Sequence, residues 1–131
     1  MRRDFQLSED DRDCLEAGGH AWEAVIEGQV KWIIIRGYPI PSGYTVDKAD
    51  AAVRIPPGYP DDQIDMVYFH PPLAIKSGKP IARLTPHPLE GKSYQQWSRH
   101  RTGLNPWRLG LDNVCSHYLQ VSDWLQRELS K

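Results

Sequence analysis

The alternation of hydrophobic and polar residues predicts a short N-terminal helix followed by strands. Ser8 precedes an acidic stretch, which favours a helix start because its hydroxyl can cap the first turn. Gly18 and Gly19 tolerate positive φ angles and predict the end of this helix. Residues 21–27 alternate as in a strand that buries one face. Residues 30–36 have a continuous β-branched centre, which indicates a strand covered on both faces.

The pattern continues with two more strands and two proline-rich turns. Residues 48–55 place alanine and branched side chains on one side of a third strand, and residues 64–69 predict a fourth. Residues 37–44 are expected to leave the sheet, because their two prolines lack the amide donor of a strand ladder. Residues 56–60 predict a rigid extended turn. Short strands joined in sequence by tight turns indicate an antiparallel meander.

The chain after residue 70 predicts a long irregular crossover, rich in proline, glycine and histidine. Residues 81–84 are expected to be a short extended piece, and residues 85–92 to be irregular. Tyr94 and Trp97 are spaced as i and i+3, which favours a turn of helix over residues 94–100.

The last segment predicts an amphipathic helix. From Leu111 to Leu129 the apolar residues recur at helical spacing, and Asp112 is a candidate N-terminal cap. We therefore predict an α+β fold in a single domain over residues 1–131. It has an N-terminal helix, a four-stranded antiparallel meander, an irregular crossover and a C-terminal helix, with the helices on one face of the sheet.

Composition and charge narrow the class of protein. The 131 residues and 15.0 kDa fit one domain, and 40% hydrophobic residues are typical of a globular core. The formal charge of −1 argues against a nucleic-acid partner, which needs a basic face. No apolar run approaches the roughly 20 residues of a membrane helix, so no membrane partner is predicted. The N-terminus lacks the apolar stretch of a signal peptide, and eleven prolines exclude a helical bundle.

The two cysteines are too few for a disulfide scaffold and are typical of a reducing cytoplasm, which is the expected location. Cys115 lies on the apolar stripe of the last helix, and Cys14 lies beside Leu15 in a helix that must pack. Both are therefore expected to be small buried hydrophobic residues rather than nucleophiles.

The five histidines are scattered without the paired spacing of a metal site. A site that combines His70, His87 and His100 would need three irregular segments to converge, so no metal is predicted. His20 and His117 are expected to be partly buried residues that form hydrogen bonds. No glycine-rich phosphate loop occurs, and no cofactor is predicted.

The one local basic cluster follows Trp97 and consists of Arg99, His100 and Arg101, with Arg108 nearby. Such a cluster either solvates a face of the protein or docks a partner. Exposure of Trp97 or Trp107 beside these arginines would favour a docking face, whereas burial of both would make them part of the scaffold.

The order of elements and three short motifs resemble the ubiquitin-conjugating (UBC) fold. Residues 55–60, Ile-Pro-Pro-Gly-Tyr-Pro, resemble the Phe-Pro-x-x-Tyr-Pro turn between the third and fourth strands. Residues 67–72, Val-Tyr-Phe-His-Pro-Pro, resemble the fourth strand running into a His-Pro-Asn motif. Residues 97–99, Trp-Ser-Arg, resemble the family's Trp-Ser-Pro element. The motif residues of the first two segments are Tyr59, Pro60, His70, Pro71 and Pro72.

Four segments further resemble a bacterial UBC-like group called prokaryotic family E, namely residues 38–44, 56–60, 65–66 and 96–100. The resemblance implies a role in a bacterial conjugation pathway. It implies as partners a ubiquitin-like protein, a ThiF-like activating enzyme and a JAB-type metalloprotease of the same pathway. It also suggests antiphage defence as a setting for that pathway.

The sequence departs from the UBC family at the catalytic centre. The family's thioester cysteine stands three residues after a glycine, and here Gly78 is followed at that spacing by Ile81, which has no nucleophilic atom. Pro72 stands where the motif asparagine would supply an oxyanion donor. No cysteine lies between Cys14 and Cys115. Both the nucleophile and the oxyanion donor of the family mechanism are therefore absent.

Three functional hypotheses remain, and they leave open whether the protein is an enzyme. In the first, it transfers or positions a ubiquitin-like C-terminus by a non-cysteine route, with catalytic candidates His87, His100 and Ser98. The two histidines are then expected to share one shallow groove beside the segment after Pro72. In the second, it is a non-catalytic adaptor that binds the ubiquitin-like protein or its activating enzyme, with candidate binding residues Trp97, Trp107, Arg99 and Arg101. The third needs no family resemblance and is a small interaction domain with a tryptophan-rich core.

Overall fold

The protein contains two helices and six strands. The computed structural model describes residues 1–131. The elements are α1 (Glu9–Ala17), β1 (Ala21–Glu27), β2 (Val30–Pro39), β3 (Lys48–Ile55), β4 (Val67–His70), β5 (Leu84–Leu89), β6 (Lys92–Trp97) and α2 (Val114–Ser130). Neither helix combines enough length with enough hydrophobicity to cross a lipid bilayer.

All six strands belong to one antiparallel sheet, in the order β1-β2-β3-β4-β6-β5. The first four form the predicted meander, and the predicted bounds of β1 and β3 are confirmed. β4 is shorter than predicted, since it begins at Val67 rather than at residue 64. The predicted α+β class, with a helix at each end of the sheet segment, is confirmed.

The sheet has two more strands than predicted, because β5 and β6 form a hairpin. Glu90 and Gly91 connect them with φ angles of 56° and 70°, as a two-residue hairpin turn requires. The expectations of irregular structure at residues 85–92 and a helical turn at residues 94–100 are therefore wrong. β5 is an edge strand, and edge strands tolerate prolines because one side of the strand needs no amide donors. Its two prolines are the reason why the sequence pattern did not predict a strand here.

β2 extends to Pro39, so the prediction that residues 37–44 leave the sheet is correct only from residue 40 onward. An irregularity at Gly37, with a φ of 67°, interrupts the ladder and lets it resume. The resumed part directs Tyr38 toward α2, where its hydroxyl donates a hydrogen bond to the carbonyl of Tyr118 (2.8 Å).

Two hydrophobic clusters cover the two faces of the sheet. The larger contains 23 buried residues and includes Leu15 of α1 and the apolar stripe of α2. Ile33 and Ile35 of β2 belong to it, whereas their neighbours Trp32 and Ile34 belong to the smaller cluster of seven. The prediction that this strand is covered on both faces is confirmed. Because both helices pack into the larger cluster, they lie on the same side of the sheet.

Local side-chain caps begin both helices. Ser8 Oγ accepts a hydrogen bond from the backbone N–H of Asp11 (3.2 Å), as predicted. α2 is capped by Asn113 and not by Asp112, so that expectation is wrong by one residue. The Asn113 side chain accepts from the N–H of Ser116, and the Ser116 hydroxyl accepts from the N–H of Asn113, both at 2.9 Å.

Cys14 of α1 and Cys115 of α2 form a disulfide, with 6.5 Å between their Cα atoms. The expectation of two separate buried thiols is wrong, and the assignment to a reducing compartment that rested on it loses its support. The physical reason is that the two helices pack side by side, which brings residues 101 positions apart in sequence into contact.

Candidate functional site

The His-Pro-Pro bend lies at the C-terminal end of β4. His70 is half-buried, and its Nδ1 lies 3.3 Å from the carbonyl oxygen of Ser93. Its ring lies 5.4 Å from the ring of Tyr94. Pro71 and Pro72 follow, both exposed, and neither has a side-chain donor. The bend therefore offers shape but little chemistry.

Gln95 of β6 holds the chain as it leaves this bend. Its Oε1 accepts a hydrogen bond from the N–H of Leu73 (2.9 Å), and its Nε2 donates to the Leu73 carbonyl (3.0 Å). Its Oε1 also accepts from Nε1 of Trp97 (2.9 Å). The side-chain amide thus replaces a neighbouring strand for one residue. Sequence analysis missed Gln95, because nothing in the local pattern points to a partner 22 residues away.

Ile81 stands at the position that the UBC resemblance assigns to the thioester cysteine. Its side chain is partly buried and packs against the larger cluster. The crossover before it is fixed by backbone hydrogen bonds at 2.8 Å, from Thr45 to the carbonyl of Ala74 and from Lys76 to the carbonyl of Gly43. The position therefore presents aliphatic packing in an anchored segment, not an exposed nucleophile.

The segment after β6 is not helical, because the N–H of Arg99 donates to the carbonyl of Trp97 (3.0 Å) in a three-residue turn at Ser98. Trp97 and Arg99 are 0% and 9% exposed, whereas Ser98 and His100 alternate with them and are more exposed. His100 Nδ1 lies 3.5 Å from Oδ2 of Asp65. The imidazole and the carboxylate therefore meet at the surface, whereas Ser98 Oγ accepts a hydrogen bond from Nε2 of Gln96 (3.3 Å).

This stretch lies at the N-terminal end of β4. Val67, the first residue of β4, is paired with Trp97, and the N–H of Met66 donates to the carbonyl of Arg99 (3.0 Å). Asp65 Oδ1 accepts from the N–H of Arg101 (3.1 Å), which holds the carboxylate next to His100. Sequence analysis did not identify Asp65 as a site residue, because only the register between β4 and β6 brings it to this place.

His87 lies elsewhere, on the face of the smaller cluster. Its ring lies 5.5 Å from Trp32 and 5.1 Å from Tyr68, and it lines a cavity of about 240 Å³ together with Arg54. The expectation that His87 and His100 share one groove beyond Pro72 is therefore wrong. β5 runs antiparallel to β6, which pairs His87 with Tyr94, whereas His100 follows the opposite end of β6.

Most of the predicted basic cluster is occupied by internal contacts. Arg99 forms a buried ion pair with Glu128 (2.9 Å), and its guanidinium lies 4.9 Å above the Trp97 ring. Arg101 stacks on Trp107 at 5.1 Å, and this tryptophan is only partly buried. Trp97 is therefore scaffold, and Arg99 is not part of an exposed cationic rim. Trp107 remains partly exposed, whereas Arg101 is partly buried and its Nη2 lies 3.1 Å from Nδ1 of His117.

The carboxylate of Asp112 neutralises the positive charge of Arg108, the last member of that cluster. Burial disfavours the charged carboxylate, but hydrogen bonds from Arg108 and Ser116 outweigh it and lower the pKa of Asp112 to about 2. The Arg108 guanidinium lies 3.2 Å from the carboxylate. The pair therefore fixes the turn before α2 and adds no free positive charge.

His117 forms hydrogen bonds through both ring nitrogens, as predicted, and it is fully rather than partly buried. Its Nε2 lies 2.8 Å from the carbonyl of Met66, and its Nδ1 lies 3.1 Å from Nη2 of Arg101. Burial lowers its pKa to about 4, so the ring is neutral at pH 7. Since arginine can only donate, Nδ1 accepts and Nε2 donates. His20, also expected to be partly buried, stacks on Tyr38 at 6.3 Å.

Tyr59 of the proline-rich turn joins both helices. Its hydroxyl donates to Oδ2 of Asp11 in α1 (2.7 Å) and accepts from the N–H of Val114 at the start of α2 (2.9 Å). Burial raises the pKa of this phenol well above its ordinary value. The neighbouring Pro60 carbonyl accepts from Nε1 of Trp107 (3.0 Å). Tyr59 therefore fixes the two helices relative to each other, and the Pro60 carbonyl anchors Trp107. None of these hydrogen bonds involves a candidate catalytic side chain.

Residues 7–128 match the family model of prokaryotic E2 family E. The chain belongs to this family. No curated protein and no solved structure matches it. Membership of an E2-like family indicates a role in a ubiquitin-like conjugation pathway and interaction with components of that pathway.

The E2 family membership gives the β4 region its functional context. The E2-like chain has the His-Pro bend but has Ile81 and Pro72 where the UBC resemblance expects a thiol and an amide. No group of three or more His, Cys, Asp or Glu side chains is arranged to hold a metal ion. The other end of β4 carries the His100–Asp65 contact, and the partly exposed Ser98 stands two residues before His100.

Proposed function

We propose that this E2-like protein acts in a bacterial ubiquitin-like conjugation pathway as an adaptor. It binds the ubiquitin-like protein or its ThiF-like activating enzyme without forming a thioester. The observation that supports this most directly is Ile81, whose aliphatic side chain packs against the core where the resemblance expects the cysteine. An adaptor needs the surface of the scaffold and not its nucleophile.

Arg101 and Trp107 are the binding residues that the geometry favours among those predicted. A guanidinium stacked on a partly exposed indole offers a flat apolar surface with a fixed charge, which suits protein contacts. Both side chains belong to the segment that precedes α2, next to the exposed Leu104 and Leu109. Trp97 and Arg99 support this surface from within.

A second candidate function is acyl transfer to a hydroxyl, and the Asp65–His100 contact of 3.5 Å favours it. In this route His100 takes the proton of the Ser98 hydroxyl while the oxygen attacks the activated C-terminal carbonyl. An ester forms and the activating group leaves with the electron pair of the broken bond. Asp65 orients the imidazole. His87 lies among aromatic rings on the smaller cluster and takes no part in this arrangement.

One experiment separates the two functions. The protein is mixed with the ubiquitin-like protein, the activating enzyme and ATP, and covalent adducts are resolved before and after reductant or mild base. Measurable binding without an adduct supports the adaptor. An adduct that survives reductant, is cleaved by base and is lost in Ser98→Ala supports the ester route.

Matched variants sharpen this result. Ser77→Ala removes an exposed hydroxyl from the crossover and is expected to change nothing, whereas Trp107→Ala together with Arg101→Ala is expected to weaken binding at least about tenfold. An adduct that is cleaved by reductant and forms on the wild-type chain contradicts both proposals.

The JAB-type protease partner, the antiphage setting and the cytoplasmic location stay predictions. The location now has to be weighed against the Cys14–Cys115 disulfide, because disulfides in the cytosol are usually transient. Fractionation of cells followed by alkylation of free thiols would test location and redox state together.

A further inference from the structure

The disulfide between the two helices borders an open groove. Cys14 and Cys115 are both half-buried, and both line a cavity of about 330 Å³ beside α1 and α2. Other lining residues include His20, Tyr38 and Ser122. A sulfur atom that lines a groove can be reached by an external thiolate, whereas one enclosed in a core cannot.

The two sulfur atoms differ in their electrostatic surroundings. Cys115 is the second residue of the 17-residue helix α2, where the N-terminal end of the helix stabilises a thiolate. Cys14 lies in the second half of the nine-residue helix α1, where the backbone carbonyls disfavour negative charge. Of the carboxylates around the bond, Asp112 has its charge paired with Arg108, and Asp11, which accepts from the Tyr59 hydroxyl, stands one helical turn before Cys14 and adds to the negative surroundings of that sulfur. Cys115 is therefore the better leaving group.

We propose that the Cys14–Cys115 disulfide is a site of thiol–disulfide exchange with a dithiol reductant. A thiolate of the reductant attacks Sγ of Cys14, the S–S bond breaks, and Cys115 leaves as a thiolate with the bonding electrons. The second thiolate of the reductant attacks its own sulfur in the mixed disulfide and releases the Cys14 thiolate. Two electrons pass to the protein, and the reductant leaves as a cyclic or internal disulfide.

Exchange would loosen α1 without dismantling the sheet. α1 keeps the fully buried Leu15 and the hydrogen bond from Tyr59 to Asp11. None of the six strands carries a bonded cysteine, and the larger cluster retains the stripe of α2. α1 and the start of α2 are also two walls of a cavity of about 400 Å³ next to the proline-rich turn. Reduction therefore frees one wall of this cavity.

The order of sulfur attack is tested with a monothiol. The oxidised full-length chain is exposed to reduced glutathione, quenched with acid, alkylated with iodoacetamide and mapped by peptide mass spectrometry. We expect glutathione on Cys14 and carbamidomethyl on Cys115 in at least about fivefold excess over the reverse arrangement. A preference for glutathione on Cys115 overturns the proposal. Resistance of the native disulfide to dithiothreitol at concentrations that reduce the urea-unfolded chain overturns it as well.

Two further measurements test the difference in reactivity between the two thiols and the release of α1. Cys14→Ser leaves Cys115 as a single thiol, and Cys115→Ser leaves Cys14. Alkylation of Cys115 should reach its plateau at lower pH than alkylation of Cys14, and the reverse order contradicts the assignment. In the reduced wild type, hydrogen exchange should accelerate at least about tenfold more in α1 than in β2 and β3, where only the lower global stability of the open chain speeds exchange. Equal acceleration in all elements would show global loosening and contradict the local release.

Discussion

The two ends of β4 differ in the chemistry that they present. At the C-terminal end, the His-Pro-Pro bend and the crossover up to Ile81 are fixed by backbone and amide hydrogen bonds and present aliphatic groups and prolines. At the N-terminal end, His100 contacts Asp65 at the surface, Ser98 is partly exposed, and Arg99 between them in sequence forms a buried ion pair. The comparison teaches that a scaffold can keep the shape of a catalytic bend while its reactive groups collect elsewhere. We therefore assign a structural role to the His-Pro-Pro end of β4, and a role in catalysis or binding to the opposite end.

The largest effect is expected from Arg99→Ala at the N-terminal end. It removes the Arg99 bonds to Glu128 and to the Ala82 carbonyl and leaves Glu128, 3% exposed, with only the 3.3 Å contact to the exposed Lys131; this should cost about 3–5 kcal/mol of unfolding free energy in urea titrations. Arg127→Ala, in the same helix as Glu128, removes an exposed ion pair with Asp123 and should lower the unfolding free energy by no more than about 0.5 kcal/mol. Equal losses in the two variants would contradict a buried foundation for the Ser98–His100 surface.

The second effect is a loss of stability in mild acid. The folded-state pKa of His117 is about 4 against an ordinary value of 6.5, so the folded state disfavours protonation. The stabilisation is fully present above pH 6.5 and disappears as the pH falls to about 4, a change of about 3 kcal/mol.

His117→Gln should flatten this part of the stability profile measured by urea titration. His117 supports the N-terminal end of β4 through the Met66 carbonyl, so the same acid range should increase hydrogen exchange at that end first. A slope that persists in His117→Gln would assign it to other groups.

The third effect tests the motif end. Gln95→Ala removes both hydrogen bonds to Leu73 and the one to Trp97, and it should cost about 1–3 kcal/mol in thermal or urea unfolding. Exposed Gln126→Ala is the control and should be neutral within about 0.5 kcal/mol. Increased proteolysis confined to residues 71–83 would show that the amide anchors the crossover. Unchanged proteolysis there would contradict that role.

The fourth prediction tests whether a thiol at the position of Ile81 is enough for thioester formation at the His-Pro-Pro end of β4. Ile81→Cys should cost about 1 kcal/mol, since a partly buried aliphatic side chain becomes smaller. It should form no thioester with the activated ubiquitin-like protein, because the thiol packs against the core and Pro72 supplies no oxyanion donor. A reductant-sensitive adduct on this variant, absent from Ile81→Ser, would break the comparison between the two ends.

The smallest effect on stability is expected from Asp65→Asn. The contact with His100 is half-exposed, so unfolding free energy should change by no more than about 0.5 kcal/mol. If the ester route operates, adduct formation should nevertheless fall by at least about tenfold, since the imidazole loses its orienting charge. Unchanged adduct yield would remove Asp65 from the mechanism and leave Ser98 and His100 alone.

Elements with a clear periodic pattern could be predicted from the sequence. β1 and β3 begin and end where alternation begins and ends, and α2 follows its apolar stripe. The spacing of Tyr94 and Trp97 at i and i+3 predicts a helical turn, and this prediction is wrong for β6. The spacing alone does not exclude a strand with the polar Gln95 and Gln96 between the two aromatic residues. The class of fold therefore followed from pattern, and the last hairpin did not.

The candidate site was less accessible to sequence analysis because it depends on register. The turn after β6 leaves His100 exposed, and the β4–β6 pairing brings Asp65 next to it. No local signal encodes that pairing. The same limitation applies to Cys14 and Cys115, whose partnership depends on two helices that meet only in the folded chain.

The bridge between the helices gives the chain a topological property. Residues 14 and 115 enclose the entire sheet in a covalent ring, with a sequence separation of 101. A single cut by a protease at any loop within that ring leaves both pieces attached, so the nicked protein should migrate as one species until reductant is added. Ring closure of about this length also narrows the unfolded ensemble, worth about 4–5 kcal/mol in a chain-entropy description. The oxidised molecule can therefore survive backbone damage that would separate an open chain into fragments.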